Sequence, residues 1–244
     1  MKHNNREAKF LGGKRSRLKE LISLLSIVPE FVHGFRKLHF VKPCITIFGS
    51  ARFKEDNLYY QKARAIGQLI AKKGFTVMTG GGPGIMEAAN LGAKDVSGKS
   101  IGCNIELPKE QQPNLFLDFN ITINHFYVRK VLLLKYSYAF VVFPGGFGTM
   151  DELFETLTLL QTKKISNFPV VLFGKDYWSK LLEQTKIMEA LGTISKKDLD
   201  LFLVTDFVTE GMDYINSKLE SKYGAPIKIK ASKSRWWYGE KRSL

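Results

Sequence analysis

Residues 139–161 read AFVVFPGGFGTMDELFETLTLLQ. An uninterrupted apolar run, AFVVF, stops at a loop with three glycines in five residues. A threonine and two acids follow, and then an apolar-periodic segment. A continuous hydrophobic run of this length reads as a strand buried on both faces. The periodic segment reads as a helix continuing to about residue 164. A strand that breaks into a backbone-exposing loop and re-forms as a helix is one unit of an α/β fold.

The same unit recurs along the chain. CITIF (44–48) is a strand ending at GSAR. Residues 56–73 have helical spacing, with Ala63, Ile66, Leu69 and Ile70 on one face, and stop at Gly74. FTVMT (75–79) is a strand ending at GGGPG, and a helix follows through Met86, Ala89 and Ala93. Strands are expected at 100–105 and 120–123, a helix over 125–137, a strand at 169–174 and a helix around 176–190. Short elements close the domain before 218. Alternating strands and helices predict a Rossmann-like, doubly wound parallel sheet with helices on both faces. Such sheets bind ligands at the carboxyl ends of their strands, near the switch in strand order. Three strands here end in small-residue loops: GSAR, GGGPG and PGGFG.

The chain has 244 residues and a formal net charge of +14. Residues 1–43 hold ten Lys/Arg against three Asp/Glu, and residues 218–244 hold eight against two. The body, 44–217, holds 19 against 18, which argues against a basic groove in the fold and against specific nucleic-acid binding. The expected division is a basic N-terminal helical extension (1–43), a Rossmann-like domain (44–217) and a basic C-terminal tail (218–244).

No segment reaches the roughly 18 apolar residues of a membrane span. Two cysteines, Cys44 and Cys103, lie in strand-like runs and read as small buried hydrophobes, with no disulfide framework or zinc spacing. A reducing, cytoplasmic compartment is expected, with neither a metal nor a cofactor. In the extension, Leu18, Leu21, Ile22, Leu25 and Val28 fall at helical spacing behind the basic run Lys14–Lys19. The carboxyl end pairs Trp236 and Trp237 with cations. These segments fit an anionic membrane surface, a nucleic acid, or docking on this protein or its partner subunit. Docking is the expectation, because exposed aromatics there would be a liability.

Glycine lets the backbone approach an anion, and the first N–H groups of the following helix then face it. The dinucleotide fingerprint GxGxxG fails in both glycine loops: the third glycine would fall on Asp151 or on Ile85. A Walker A loop fails as well, because GKS at 98–100 lacks its upstream glycine at Ala93 and precedes a strand. A mononucleotide-sized 5′-phosphate fits better than a dinucleotide or a triphosphate.

Thr149 and Glu152 have capping-box spacing, with the threonine as cap and the glutamate reaching back. Asp151 reads as a first-turn acid favoured by the helix dipole. A carboxylate beside a phosphate also suits cleavage of a ribosyl N–C bond, whose transition state is oxocarbenium-like. Arg129 sits inside an apolar helix, either turned to solvent beside Lys130 or acting as a planar donor to substrate and carboxylate. His125 reads as a helix-start residue.

Together these residues resemble the LOG (lonely guy) family, which hydrolyses nucleoside 5′-monophosphates, cytokinin ribotides among them, to free base and ribose 5-phosphate. The signature PGGxGTxxE stands at 144–152, GGGPGIMEAAN at 80–90 matches the other glycine-rich segment, and ITIFGSAR (45–52) and Arg129-Lys130 match as well. The resemblance covers about 44–215. It implies Arg129 and Glu152 as the catalytic pair and substrate or phosphate contacts from Ser50, Gly81, Gly82, Gly84, Glu87, Lys130, Gly145, Gly146, Gly148 and Thr149. It also implies a homodimer or larger assembly. HFYVRK departs from the Met-His-x-Arg-Lys of many members, which bears on the choice of base. The alternative is a non-catalytic nucleotide-binding or carrier protein on the same fold.

Overall fold

A computed structural model of the chain describes residues 6–106 and 112–224. Its centre is a seven-stranded, wholly parallel sheet: β1 (Cys44–Phe48), β2 (Thr76–Thr79), β3 (Ser100–Ile105), β4 (Phe119–Ile123), β5 (Ser137–Val142), β6 (Val170–Phe173) and β7 (Leu203–Thr205). The order is β4-β3-β2-β1-β5-β6-β7. The chain winds outward from β1 to one edge, then restarts at β5 on the other side of β1. The switch point therefore lies between β1 and β5, where the fold leaves a crevice. The doubly wound sheet expected from the strand–helix alternation is the fold observed.

The helices are α1 (Arg6–Leu11), α2 (Arg17–Leu38), α3 (Leu58–Lys72), α4 (Ile85–Asp95), α5 (Phe126–Lys135), α6 (Phe147–Gln161), α7 (Lys175–Ala190) and α8 (Val208–Tyr223). They cover both faces. Ala139 and Val141 of β5 point into one core with Ile66 and Ile70 of α3, Ala89 of α4 and Ile215 of α8. Phe140 and Val142 point into the other, with Leu132 of α5, Leu153 of α6, Trp178 of α7, and Ile27 and Leu38 of α2. Period-2 alternation with apolar residues on both sides explains why these strands read as continuous hydrophobic runs. Cys44 and Cys103 are both free and buried, and burial pushes the Cys103 thiol up to about 12.

The N-terminal segment forms a long helix that packs against α5. Gly34 lies directly against Leu132, and the Tyr136 hydroxyl donates to the Phe35 carbonyl at 3.3 Å. The stripe expected to dock does so only in part. Ile27 and Leu38 are buried, but Leu18, Leu21, Ile22, Leu25 and Val28 are exposed on this chain. At the other end α8 continues to Tyr223, with Leu219 in the core, so the expected start of the tail at 218 falls inside a helix. The tryptophan segment lies outside the described residues. No helix among the described residues is long and apolar enough to cross a membrane.

Candidate active site

Three strand ends meet at the switch point, and Ser50 ties them together. Its N–H donates to the Pro144 carbonyl at 2.9 Å, and its carbonyl accepts from the Ile85 N–H at 3.0 Å. The GSAR, GGGPG and PGGFG loops are thus fastened through one residue's backbone. Between them opens a cleft of about 560 Å³ lined by Ser50, Arg52, Met86, Arg129, Thr149 and Glu152, among others.

The α6 helix begins earlier than its sequence indicates. Gly146 is the N-cap, and Phe147, Gly148 and Thr149 are already helical. The capping box with Thr149 as cap does not form, and no acid stands in the first turn. The physical reason is that glycine at the cap leaves the first N–H groups uncovered, since no cap side chain bonds to them. Those groups and the helix dipole face the cleft, an arrangement suited to an anion. Asp151 and Glu152 move to the second turn, and Glu152 loses its capping explanation.

Glu152 is instead a buried acid, 4% exposed. Burial raises its carboxyl from 4.5 to about 7, against the pull of Arg129 and Lys130 and with help from Glu155 and Asp151. Arg129 Nη1 stands 3.7 Å from Glu152 Oε1. The guanidinium does not face solvent: its Nε donates to the Cys103 carbonyl at 2.8 Å, and it lies against Gly80. Gly80 leaves the room this requires, because a Cβ there would come within 2.6 Å of Arg129 Nη2.

Lys130 does not line the cleft. It bridges Asp151 at 2.8 Å and Glu155 at 3.0 Å. Burial lowers its pKa, but bonds to these two acids outweigh that, and the net shift is upward. Gly146, Gly148 and Thr149 line the cleft with Ser50. Gly145 sits behind them, its carbonyl accepting from the Tyr177 hydroxyl at 2.6 Å. Gly84 and Glu87 line a neighbouring cleft of about 700 Å³ that shares Ala51 and Arg52 with the first. Glu87 Oε1 there accepts from the Tyr60 hydroxyl at 3.4 Å. Gly81 and Gly82 line neither. The Gly81 N–H bonds Thr79 Oγ1 and the Gly82 carbonyl accepts from Asn114.

Sequence reasoning missed Met86 and Arg52 in the lining, the Cys103 carbonyl, Tyr177, and Phe147, which is 94% exposed at the rim. The Arg52 position was legible within ITIFGSAR. Met86 and Phe147 likewise fall within the GGGPGIMEAAN and PGGFG stretches, whereas the Cys103 carbonyl and Tyr177 depend on contacts that no local pattern records. His125 is the N-cap of α5, as its position indicated, and its ring is buried against Glu30.

The chain is similar to several known proteins. The cytokinin riboside 5′-monophosphate phosphoribohydrolase LOG3 of Arabidopsis thaliana is 29% identical over 155 residues, 61% of this chain and 69% of its own length. The pyrimidine/purine nucleotide 5′-monophosphate nucleosidase of Escherichia coli is 24% identical over 169 residues, which cover 64% of this chain but 37% of that protein. Among solved structures, the molybdenum cofactor binding protein of Rippkaea orientalis superposes with a TM-score of 0.55 at 25% identity, covering 72% of this chain and 96% of that one. The family model described as "Possible lysine decarboxylase" matches residues 86–215, more than half the chain, and the chain belongs to that family, the LOG family.

Proposed function

We propose that the chain hydrolyses the N-glycosidic bond of a nucleoside 5′-monophosphate, AMP or a cytokinin ribotide, to the free base and ribose 5-phosphate. The observation that carries this reading is Glu152: a buried carboxyl with a pKa near 7, 3.7 Å from a fixed arginine, in a cleft that the N-terminus of α6 also faces. The phosphate takes the uncovered N–H groups of Phe147 and Gly148, with the Thr149 and Ser50 hydroxyls beside it. That places the ribose toward Glu152. As the C1′–N bond breaks, positive charge grows on the sugar, and the carboxylate stabilises it or accepts a proton from the attacking water. Water oxygen bonds to C1′, and its proton passes by way of Glu152 to the departing base nitrogen. A pKa near neutrality lets one group both take and return that proton. Arg129, pinned by the Cys103 carbonyl, holds Glu152 and substrate in register.

The family description does not fit the chemistry of Lys130, the lysine beside the catalytic candidates. A Schiff-base lysine must reach its reactive neutral form, whereas Lys130 is held as an ammonium by two carboxylates outside the cleft. The second reading is a nucleotide or cofactor carrier, favoured by the molybdenum cofactor binding protein among the structural neighbours. Incubation with a panel of nucleoside monophosphates separates the two. Release of free base from AMP, and none from adenosine, is expected of the hydrolase, because phosphate binding is remote from the breaking bond and drives it. Tight binding with no base released would establish the carrier.

A homodimer or larger assembly also belongs to this reading. Phe126 and Val131 of α5 and Phe154 of α6 remain exposed, apolar surface that a second copy would cover. A monomer by light scattering at micromolar concentration would retire it.

A further inference from the structure

Arg129 is delivered by α5, and the start of α5 is held by carboxylates from elsewhere. Its N-cap, His125, makes no side-chain cap bond, and its own first turn holds no acid. The backbone donors there would be orphaned. Glu30 of α2 takes two of the donors at this end. Its Oε2 accepts from the Asn124 N–H at 3.1 Å and the His125 N–H at 3.4 Å. Its Oε1 accepts from Asn124 Nδ2 at 3.0 Å and lies 2.9 Å from His125 Nδ1. Glu7 of α1 accepts the next donor, the Phe126 N–H, at 2.9 Å. Two acids from the N-terminal segment thus close the end of a helix some ninety and more residues away in sequence, where negative charge also complements the helix dipole.

The contact is continuous with the site. The His125 carbonyl accepts the Arg129 N–H at 3.1 Å, so whatever fixes His125 fixes the backbone of Arg129 one turn on. The Glu30 side chain is 13% exposed and the His125 side chain 2%. Gly34 lets α2 lie against Leu132 of the same helix. Both acids precede residue 86, where the family match begins. An N-terminal helix that only shielded apolar surface would need neither acid. Much of its own apolar stripe is left exposed while Glu30 is turned inward.

We propose that Glu30, assisted by Glu7, is a positioning residue: the N-terminal segment clamps the start of α5 and thereby sets Arg129 opposite Glu152. Its kinetic expression rests on the hydrolase reading above. A guanidinium displaced by a fraction of an ångström still binds substrate but stabilises the transition state less well.

The test uses the full chain with Glu30→Gln, and Glu20→Gln, an exposed acid on the same helix, as control. Glu30→Gln is expected to lower kcat on AMP about tenfold with KM within twofold, and Glu20→Gln to change neither. Amide exchange at Asn124, His125 and Phe126 should accelerate in Glu30→Gln while β1 and β5 keep their protection. Glu30→Asp, which keeps the charge, should recover part of the lost kcat. A wild-type kcat in Glu30→Gln, whatever its melting temperature, would overturn the clamp and leave a docking contact. If the wild-type protein releases no base from any nucleotide, the hydrolase reading fails separately. The clamp is then decided by amide exchange at Arg129, whose N–H bonds the His125 carbonyl: an unchanged rate in Glu30→Gln would overturn it, and faster exchange there while β1 and β5 keep their protection would uphold it.

Discussion

The two glycine loops, GGGPG at 80–84 and PGGFG at 144–148, look alike in sequence and do opposite work. In the first, the glycines make room for protein. A Cβ on Gly81 would meet Asn104 at 2.5 Å, one on Gly80 would meet Arg129, and one on Gly84 would strike the backbone of Ser50 and Ala51. Side chains close this loop's polar groups: Thr79 takes the Gly81 N–H, and Asn114 bonds the Gly82 carbonyl and Asn90. In the second, a Cβ on Gly146 or Gly148 would meet nothing within 4 Å. Gly145 is the exception, packed against Thr149 and the Ser50 backbone; beyond it the loop is open, with a helix N-terminus behind it. One loop is packed and supports Arg129; the other is open at Gly146 and Gly148 and leads to Glu152. Glycine content alone therefore does not identify a binding loop, whereas the space beside each glycine does.

The strongest way to probe the division is at the acid that follows the open loop. Glu152→Gln should cost roughly 10²–10⁴-fold in turnover, the scale of a positioned acid or base. The same change should stabilise the fold at high pH. With a folded-state pKa of about 7 against an ordinary value of 4.5, the native protein holds a proton that the unfolded chain releases. This group's contribution to stability is full below pH 4.5 and is lost as pH rises through 7. Removing the charge should be worth on the order of 3 kcal/mol at pH 8, a rise of several degrees in Tm, and nothing below pH 4.5. A variant that melts like the wild type at pH 8 would show that the carboxyl is not strained by burial.

Next comes the packed loop. Gly84 has φ +70° and the Ser50–Ala51 backbone where a Cβ would go, so Gly84→Ala should cost about 3 kcal/mol and lower Tm by roughly 6–12 °C. The smallest effect belongs to the open loop. Gly148→Ala fits the free protein and should leave Tm unchanged or slightly higher, since alanine is the better helix former. The methyl group stands where the phosphate is proposed to bind, so KM for AMP should rise about tenfold, or about 1.4 kcal/mol. If Gly84→Ala melts normally, or if Gly148→Ala leaves KM untouched, the two loops are not different in kind.

Most of the sheet was legible, because strands buried on both faces must be apolar throughout, as AFVVF and CITIF are. The start of α6 was not. A helix that opens on Phe147-Gly148 has no cap side chain and an exposed aromatic, and it reads as loop until its N–H groups are needed for an anion. The end of α8 was hidden differently. Met212, Ile215 and Leu219 hold helical spacing into the core, but the basic residues around them weigh toward a tail when charge is counted. Arg129 and Glu152 could be named from their motifs. Their burial, the Cys103 carbonyl and the Glu30 cap depend on tertiary contacts between segments that carry no shared local signal.

The order of the strands also sets when the chain can become functional. β1 meets β2 after one helix, but its other neighbour is β5, with Cys44 beside Ser137. A chain emerging from synthesis can assemble β1 to β4 early and already holds Arg129. It lacks Glu152, and β1 stands as an open edge with unpaired backbone groups, the kind of surface that recruits other chains. Pairing β5 with β1 closes a long loop and costs chain entropy. When β5 docks, it seals the edge and brings the PGGFG loop against Ser50 in one move, so protection from aggregation and the capacity for chemistry arrive with the same strand.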